Sequence, residues 1–272
     1  MAYDKVVDSA ALDAAMTYTA NRIRNKTGGT DQIAWDSAKG FGDAVDAIQV
    51  GDPFEAFKDL QTFSLSADST IKNFTANIPN VTTLETSFAN AQSTPLERIE
   101  VTVSEKLTIA RKMFSNIIVP KLTEIVFKGD FSKVTSLYEA FSGSRRNYTL
   151  TKITGLDFTS VTGASNFVGN QAGITDIEIK ANTVNVALGL GEQGRLTLAS
   201  LINVLNALKD HTGQEALTIW LNSALKTADT GMIYANYVKL DAGTNLYVSC
   251  TSADAGAVTI AAAITAKNWT IA

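Results

Sequence analysis

Cysteine, histidine, proline and charge are all scarce in this chain: one Cys, one His, four Pro and 18% charged residues among 272. The lone thiol, Cys250, excludes an intrachain disulfide and a thiolate metal cluster, so packing alone must hold the fold. In the run NLYVSC it reads as a small buried apolar residue. The lone imidazole, His211, near the end of an expected helix, has no second histidine or cysteine set with which to share a transition metal. The G-x-S-x-G elbow that a serine nucleophile would need does not occur. Acidic side chains are scattered, and nothing picks out the carboxylate pair of a glycosidase. No catalytic residue, metal or cofactor is expected, and the chain is read as not an enzyme.

With 23 basic against 27 acidic residues, no sequence-wide positive field exists to draw nucleic acid or an anionic membrane. No run approaches the roughly twenty apolar residues of a membrane helix. Asp4 and Asp8 interrupt the start, where a secretory leader would carry its apolar core. The expectation is a product made in the cytoplasm that stays there or leaves by lysis or assembly, with proteins or neutral glycans as partners. The N-x-T triplets at Asn25, Asn73, Asn80, Asn147 and Asn268 then reflect an Asn- and Thr-rich composition rather than glycosylation. The one local basic-aromatic cluster, SRRNY at Ser144 to Tyr148, falls in an expected loop and is read as solvated, or as touching a glycan or a neighbouring protein.

What the chain does have is 45% apolar residues, enough for a real core, arranged with two different periods. Between Asp8 and Lys26 the positions Leu12, Met16, Thr19 and Ile23 recur at helical spacing, Arg22, Arg24 and Lys26 suit the negative end of the helix dipole, and Gly28 and Gly29 stop it. Phe41, Val45 and Ile48 suggest a second helix. In DPFEAF, Asp52 serves as cap, Pro53 takes the first helical position and Glu55 returns a bond to the cap, which announces a third. Residues 1–59 are read as a helical module.

After residue 60 the pattern alternates, and repeats become visible. VTTLETSFAN from Val81, LTIARKMFSN from Leu107, VTSLYEAFSG from Val134 and VTGASNFVGN from Val161 align, with Phe88, Phe114, Phe141 and Phe167 separated by 26, 27 and 26 residues. A strand-like Leu-x-x-apolar-x-apolar piece precedes each of them, from Leu60, Leu96, Leu122 and Leu150, and a fifth starts at Ile174. The 36-residue first interval implies an insertion. Each unit is expected to give one strand to a sheet and to return through a short helical or irregular turn whose Phe plugs the interior, so residues 60–195 are read as a solenoid needing caps at both ends.

Residues 196–272 are read as an α/β cap. Leu198, Leu201, Ile202, Leu205 and Leu208 form one helical face, and ALTIWLN gives a strand. YVKLDAGTNLYVSC gives a hairpin turning at Asp241 to Asn245 on Gly243, followed by an alanine-rich helix near Val258 to Lys267 and a last strand, WTIA. The string GLGEQG, with Gly189, Gly191 and Gly194, matches a dinucleotide fingerprint, but LTIWLN ends without the carboxylate that would take a ribose hydroxyl, and a flexible turn before a capping helix explains it better.

The units LTEIVFKGDFSKVTSLYEAFSGS and LTKITGLDFTSVTGASNFVGN resemble the BspA-like leucine-rich repeats of surface and phage proteins of gut bacteria, and LTLASLINVLNALKD and KNWTIA look like the terminal segment that follows such repeats. The opening, YDKVVDSAALDAAMTYTANRIRNKTGGTDQIAWDSAKGFGDAVDAI, is similar to N-terminal segments of phage tail and other virion proteins. The resemblance implies an α+β chain in three parts: a helical particle-attachment module, an irregular leucine-rich-repeat solenoid, and an α/β cap. It implies a structural virion protein of tail or baseplate, assembled in the host cytoplasm and homo-oligomeric. Such a protein would dock on other virion proteins and bind a host-surface protein or glycan, without nucleic acid or membrane insertion. The alternative is an architectural capsid decoration or neck protein with no host-binding role.

Overall fold

The computed structural model describes residues 72–88, 95–114, 121–142, 149–169, 173–190, 195–222 and 235–272. The chain divides after Glu55 into two units, and every described residue lies in the second. The helical module expected over residues 1–59, the strand-like piece at Leu60 and the SRRNY cluster lie outside the described residues.

The second unit is a β-solenoid. Five strands, β1 (Asn73–Asn77), β2 (Arg98–Val103), β3 (Glu124–Gly129), β4 (Lys152–Leu156) and β5 (Asp176–Ile179), lie side by side in sequence order as one parallel sheet. Strict alternation puts one side chain in two inside, which is why β2 alternates half-buried and buried along RIEVTV. The register stacks Phe74, Ile99, Ile125, Ile153 and Ile177 in one interior row. The row is buried throughout. Burying each of these side chains contributes roughly 1.5–3 kcal/mol relative to exposure.

β1 corrects the inferred insertion. Its pairing of Asn73 with Arg98 sets an interval of 25 residues, in line with the later ones. The signal is IKNFTA from Ile71, where isoleucine stands for the leading leucine of the repeat.

Among the described residues of the four returns there is no helix. The return segments form a second parallel ladder of single bridges, Thr83 to Ile109, Ile109 to Ser136 and Ser136 to Gly163. The ladder continues from Ala164 to Leu188 into β6 (Leu188–Leu190), β7 (Leu217–Leu221) and β11 (Trp269–Ile271), a parallel sheet of order β6, β7, β11. The expected phenylalanine plugs are there: the rings of Phe88 and Phe114 stack at 4.6 Å and 2°, and those of Phe114 and Phe141 at 5.3 Å and 13°.

The fourth ring breaks phase. Phe88 N–H donates to Met113 O, Phe114 N–H to Ala140 O, and Phe141 N–H to Phe167 O, so Phe167 occupies the slot of Met113 and Ala140 rather than that of the three earlier phenylalanines. It meets Phe141 edge-on at 90° and is braced by Phe158 at 5.4 Å. An edge-to-face pair keeps the favourable quadrupole geometry that a one-residue slip denies to stacking.

The far end of the five-stranded sheet is closed by α1 (Leu198–Ala207), capped by Thr197, whose hydroxyl accepts from Ser200 N–H. Leu201, Val204, Leu205 and Ala207 are its buried apolar positions, with Leu208 just beyond; Leu198 and Ile202 are only half-buried. The polar positions Ser200 and Asn203 take the place of a further strand: Ile177 N–H donates to Ser200 Oγ at 2.9 Å and Ile179 N–H to Asn203 Oδ1 at 2.8 Å. Otherwise these edge donors would be left unpaired at a buried boundary.

The hairpin forms as β8 (Tyr237–Leu240) and β9 (Tyr247–Cys250), joined antiparallel to β10 (Val258–Thr259), which leads into α2 (Ile260–Ala266). Its turn does not use Gly243 as the permissive residue. Asn245 takes the left-handed conformation at φ 57°, and Asp241 Oδ1 accepts from Gly243 N–H, Thr244 N–H and the Thr244 hydroxyl. Asn tolerates that region because its short polar side chain bonds locally.

Candidate functional site

The solenoid presents two regular outward faces, and they differ in kind. On the strand face, Arg98, Glu124, Lys152 and Asp176 share one register position, alternating in sign from strand to strand. Arg98 Nε donates to Glu124 Oε2 at 2.6 Å and Arg98 Nη2 to Glu100 Oε2 at 2.6 Å, while Lys152 lies 3.0 Å from Glu124 and Lys128 2.5 Å from Glu100. The Lys128 and Arg98 bonds hold the Glu100 carboxyl below its ordinary range, the Arg98 and Lys152 bonds do the same for Glu124, and both carboxylates hold the guanidinium above its own. A face whose charges are spent on one another fixes the register of the strands, because a slip would oppose like charges.

At one end of these strands a groove is lined by Gly129, Asp130, Gly155, Asp157, Glu178 and Lys180. Two of its acids, Asp157 and Asp130, are held locally. Burial pushes the Asp157 carboxyl up, but the bonds from Lys180 at 2.7 Å and from Thr159 outweigh it and leave the group low. Asp130 accepts from Ser132 N–H. Among the described residues no group of three or more His, Cys, Asp or Glu side chains is arranged to hold a metal.

The return face is built differently. Its outward positions at one register are Glu85, Arg111, Tyr138, Ser165 and Trp220, read along the bridges from coil to coil, with Gly189 buried at the rung between the last two. Glu85 and Arg111 pair at 2.7 Å. Tyr138 and Trp220 are 42% and 41% exposed, large apolar side chains left in solvent by a ladder whose inward neighbours are fully buried. Lys112 Nζ lies 5.8 Å from the Tyr138 ring centre and 3.8 Å from Glu139, and the Glu139 carboxylate raises the Tyr138 hydroxyl above its ordinary value. Alongside runs a threonine ladder, with the hydroxyls of Thr108, Thr135 and Thr162 donating to the carbonyls of Thr82, Thr108 and Thr135.

The residues singled out from sequence fall elsewhere. Gly189 is not in a turn but in β6, and a Cβ there would come within 2.8 Å of Asn166 N, so the glycine serves close approach of two coils. Gly191 and Gly194 lie outside the described residues. His211 follows α1 rather than ending it; it is 6% exposed, its Nε2 lies 2.8 Å from Asn185 Oδ1, and its ring packs edge-on against Trp269. Cys250 is half-exposed on β9 rather than buried. Four exposed apolar side chains lie on the small β8–β9–β10 sheet, Tyr237 and Val248 on one face and Leu240 and Val258 on the other. No helix among the described residues is long and apolar enough to cross a membrane. No protein-family model matches the chain, and no curated protein or solved structure matches it either.

Proposed function

We propose that the chain is a non-enzymatic structural component of a bacteriophage particle, of tail or baseplate, and that its leucine-rich-type solenoid is displayed to bind a host surface or another protein. Support for the virion comes from the resemblance of the opening segment to virion proteins. Support for binding comes from one observation, the exposure of Tyr138 and Trp220 on a backbone ladder that holds both in fixed positions. Tyr and Trp are the side chains that supply most contact energy at interfaces for the least conformational entropy. Many copies per particle would let weak single contacts add up.

The test is a truncation removing residues 1–50. Incorporation into particles should be abolished while the circular dichroism of the solenoid is retained; normal incorporation would sink the reading. A second reading, a capsid decoration or neck protein packed between subunits, draws its support from the apolar side chains left exposed on β8, β9 and β10. Accessibility of Trp220 to a quencher on intact particles separates the two, since a decoration protein would bury that face.

A further inference from the structure

The strand edges of this unit are not treated alike. Ser200 and Asn203 of α1 take up the edge donors of β5, and Asn206 bonds the outer edge of β9 through Tyr247 N–H and O. β11, the outer strand of the β6–β7–β11 sheet, pairs only with β7. Ala272 N–H donates to Ile219 O and Ala272 O accepts from Leu221 N–H, so Ala272 and, two residues back, Thr270 face β7. Trp269 and Ile271 therefore turn their backbone N–H and C=O groups outward, and no described residue bonds to them. The inner row of the same sheet is unfinished at the same rung. Leu188, Ile219 and Ile271 share one register position; the first two are fully buried and Ile271 is only half-buried. One more strand would satisfy the edge and cover Ile271.

Which strand fits follows from the three residues of β11. Antiparallel pairing of Trp-Thr-Ile with a copy of itself sets Trp269 opposite the partner's Ile271, Thr270 opposite the partner's Thr270, and Ile271 opposite the partner's Trp269. Every match is of a favoured cross-strand kind, aromatic with β-branched or threonine with threonine. The outward-facing residues, Trp269 and Ile271, are then the ones that exchange backbone bonds across the join, about a two-fold axis at Thr270. Because directly opposed side chains share a face, Trp269 and Ile271 remain on the inner side in both copies, and Thr270, which is exposed, remains outside. We infer that β11 is an open rung that pairs antiparallel with β11 of a second copy of this chain, joining the two three-stranded sheets into one.

Sedimentation equilibrium of the full chain over a range of concentrations tests this, with Thr270→Lys, Ile271→Pro and, as a control on another sheet, Leu240→Ser. Thr270→Lys places like charges opposite each other at the axis. Ile271→Pro removes an outward N–H only, since the bonds to β7 come from Thr270 and Ala272. At high concentration the unmodified chain and the control should reach twice the mass of the two β11 variants. Equal masses for all four overturn the assignment, whether the shared species is a monomer or an oligomer built elsewhere on the chain. A Thr270→Cys variant in a Cys250→Ser background should also form a disulfide-linked dimer on mild oxidation, because a non-hydrogen-bonded antiparallel pair brings its two Cα atoms within disulfide range. Failure to cross-link overturns the assignment equally, and this readout decides the matter should Ile271→Pro fold poorly.

Discussion

At Gly155 the backbone has φ 81°, and a Cβ would come within 1.8 Å of the Phe127 carbonyl oxygen, an atom that cannot move without breaking the sheet. Gly155→Ala should therefore destabilise by well over 1 kcal/mol, whereas Gly213→Asn, at the same φ with nothing within 4 Å, should cost a few tenths. Urea denaturation of the two variants checks this, and equal costs would contradict it. Ser87 makes the opposite case. It sits in the slot that Met113, Ala140 and Phe167 fill in later coils, and its buried hydroxyl finds no partner. Ser87→Ala is expected to stabilise by about 1 kcal/mol, and a loss of stability would show that the hydroxyl is satisfied after all. Part of this scale is legible in the sequence. The phenylalanine spacing led directly to the stack. The slip at Phe167 was also visible, because six residues separate it from Val161 where seven separate Phe141 from Val134, but alignment on the rings hid it. The face that carries Tyr138 and Trp220 could not be read from sequence, since their neighbourhood depends on coil lengths that vary with every turn.

Among the elements, α1 carries the most specific design. Ser200 and Asn203 close β5, and Asn206 closes β9, its side chain accepting from Tyr247 N–H at 2.7 Å and donating to Tyr247 O at 2.9 Å. The apolar face of this helix was plain from its leucines; the three polar positions three residues apart looked like an ordinary solvated side. Their role depends on a strand edge that only the assembled solenoid supplies. Asn203→Ala should cost about 1–3 kcal/mol and speed hydrogen exchange at the Ile179 amide, and unchanged exchange there would refute the edge-cap account. Lys267 serves the other end of the helix, donating to Leu205 O at 3.0 Å and to Leu208 O at 2.6 Å. Burial pushes its ammonium below the ordinary lysine value. Lys267→Met leaves both carbonyls without that donor and is expected to lower the melting temperature.

Over the whole molecule, the alternation of charge along the strand face ties stability to pH. The carboxyls of Glu100 and Glu124 are lowered in the folded chain from an ordinary value of 4.5. The unfolded chain therefore takes up protons first as pH falls. The stabilisation from these groups is present above about pH 4.5 and is lost as pH falls from there through their lower folded values. Both partners are partly solvated, so the loss is modest and is reduced further by salt. A Glu124→Gln variant should show a flatter stability profile below pH 5 than the unmodified chain, and parallel profiles would show that the ladder contributes nothing. The proposed role has the solenoid displayed at the tail of a phage particle. Immunogold electron microscopy of intact phage particles, with antibodies raised against residues 60–272, tests it most directly. The account predicts label at the tail tip, and label confined to the head, or none on any particle, would contradict it.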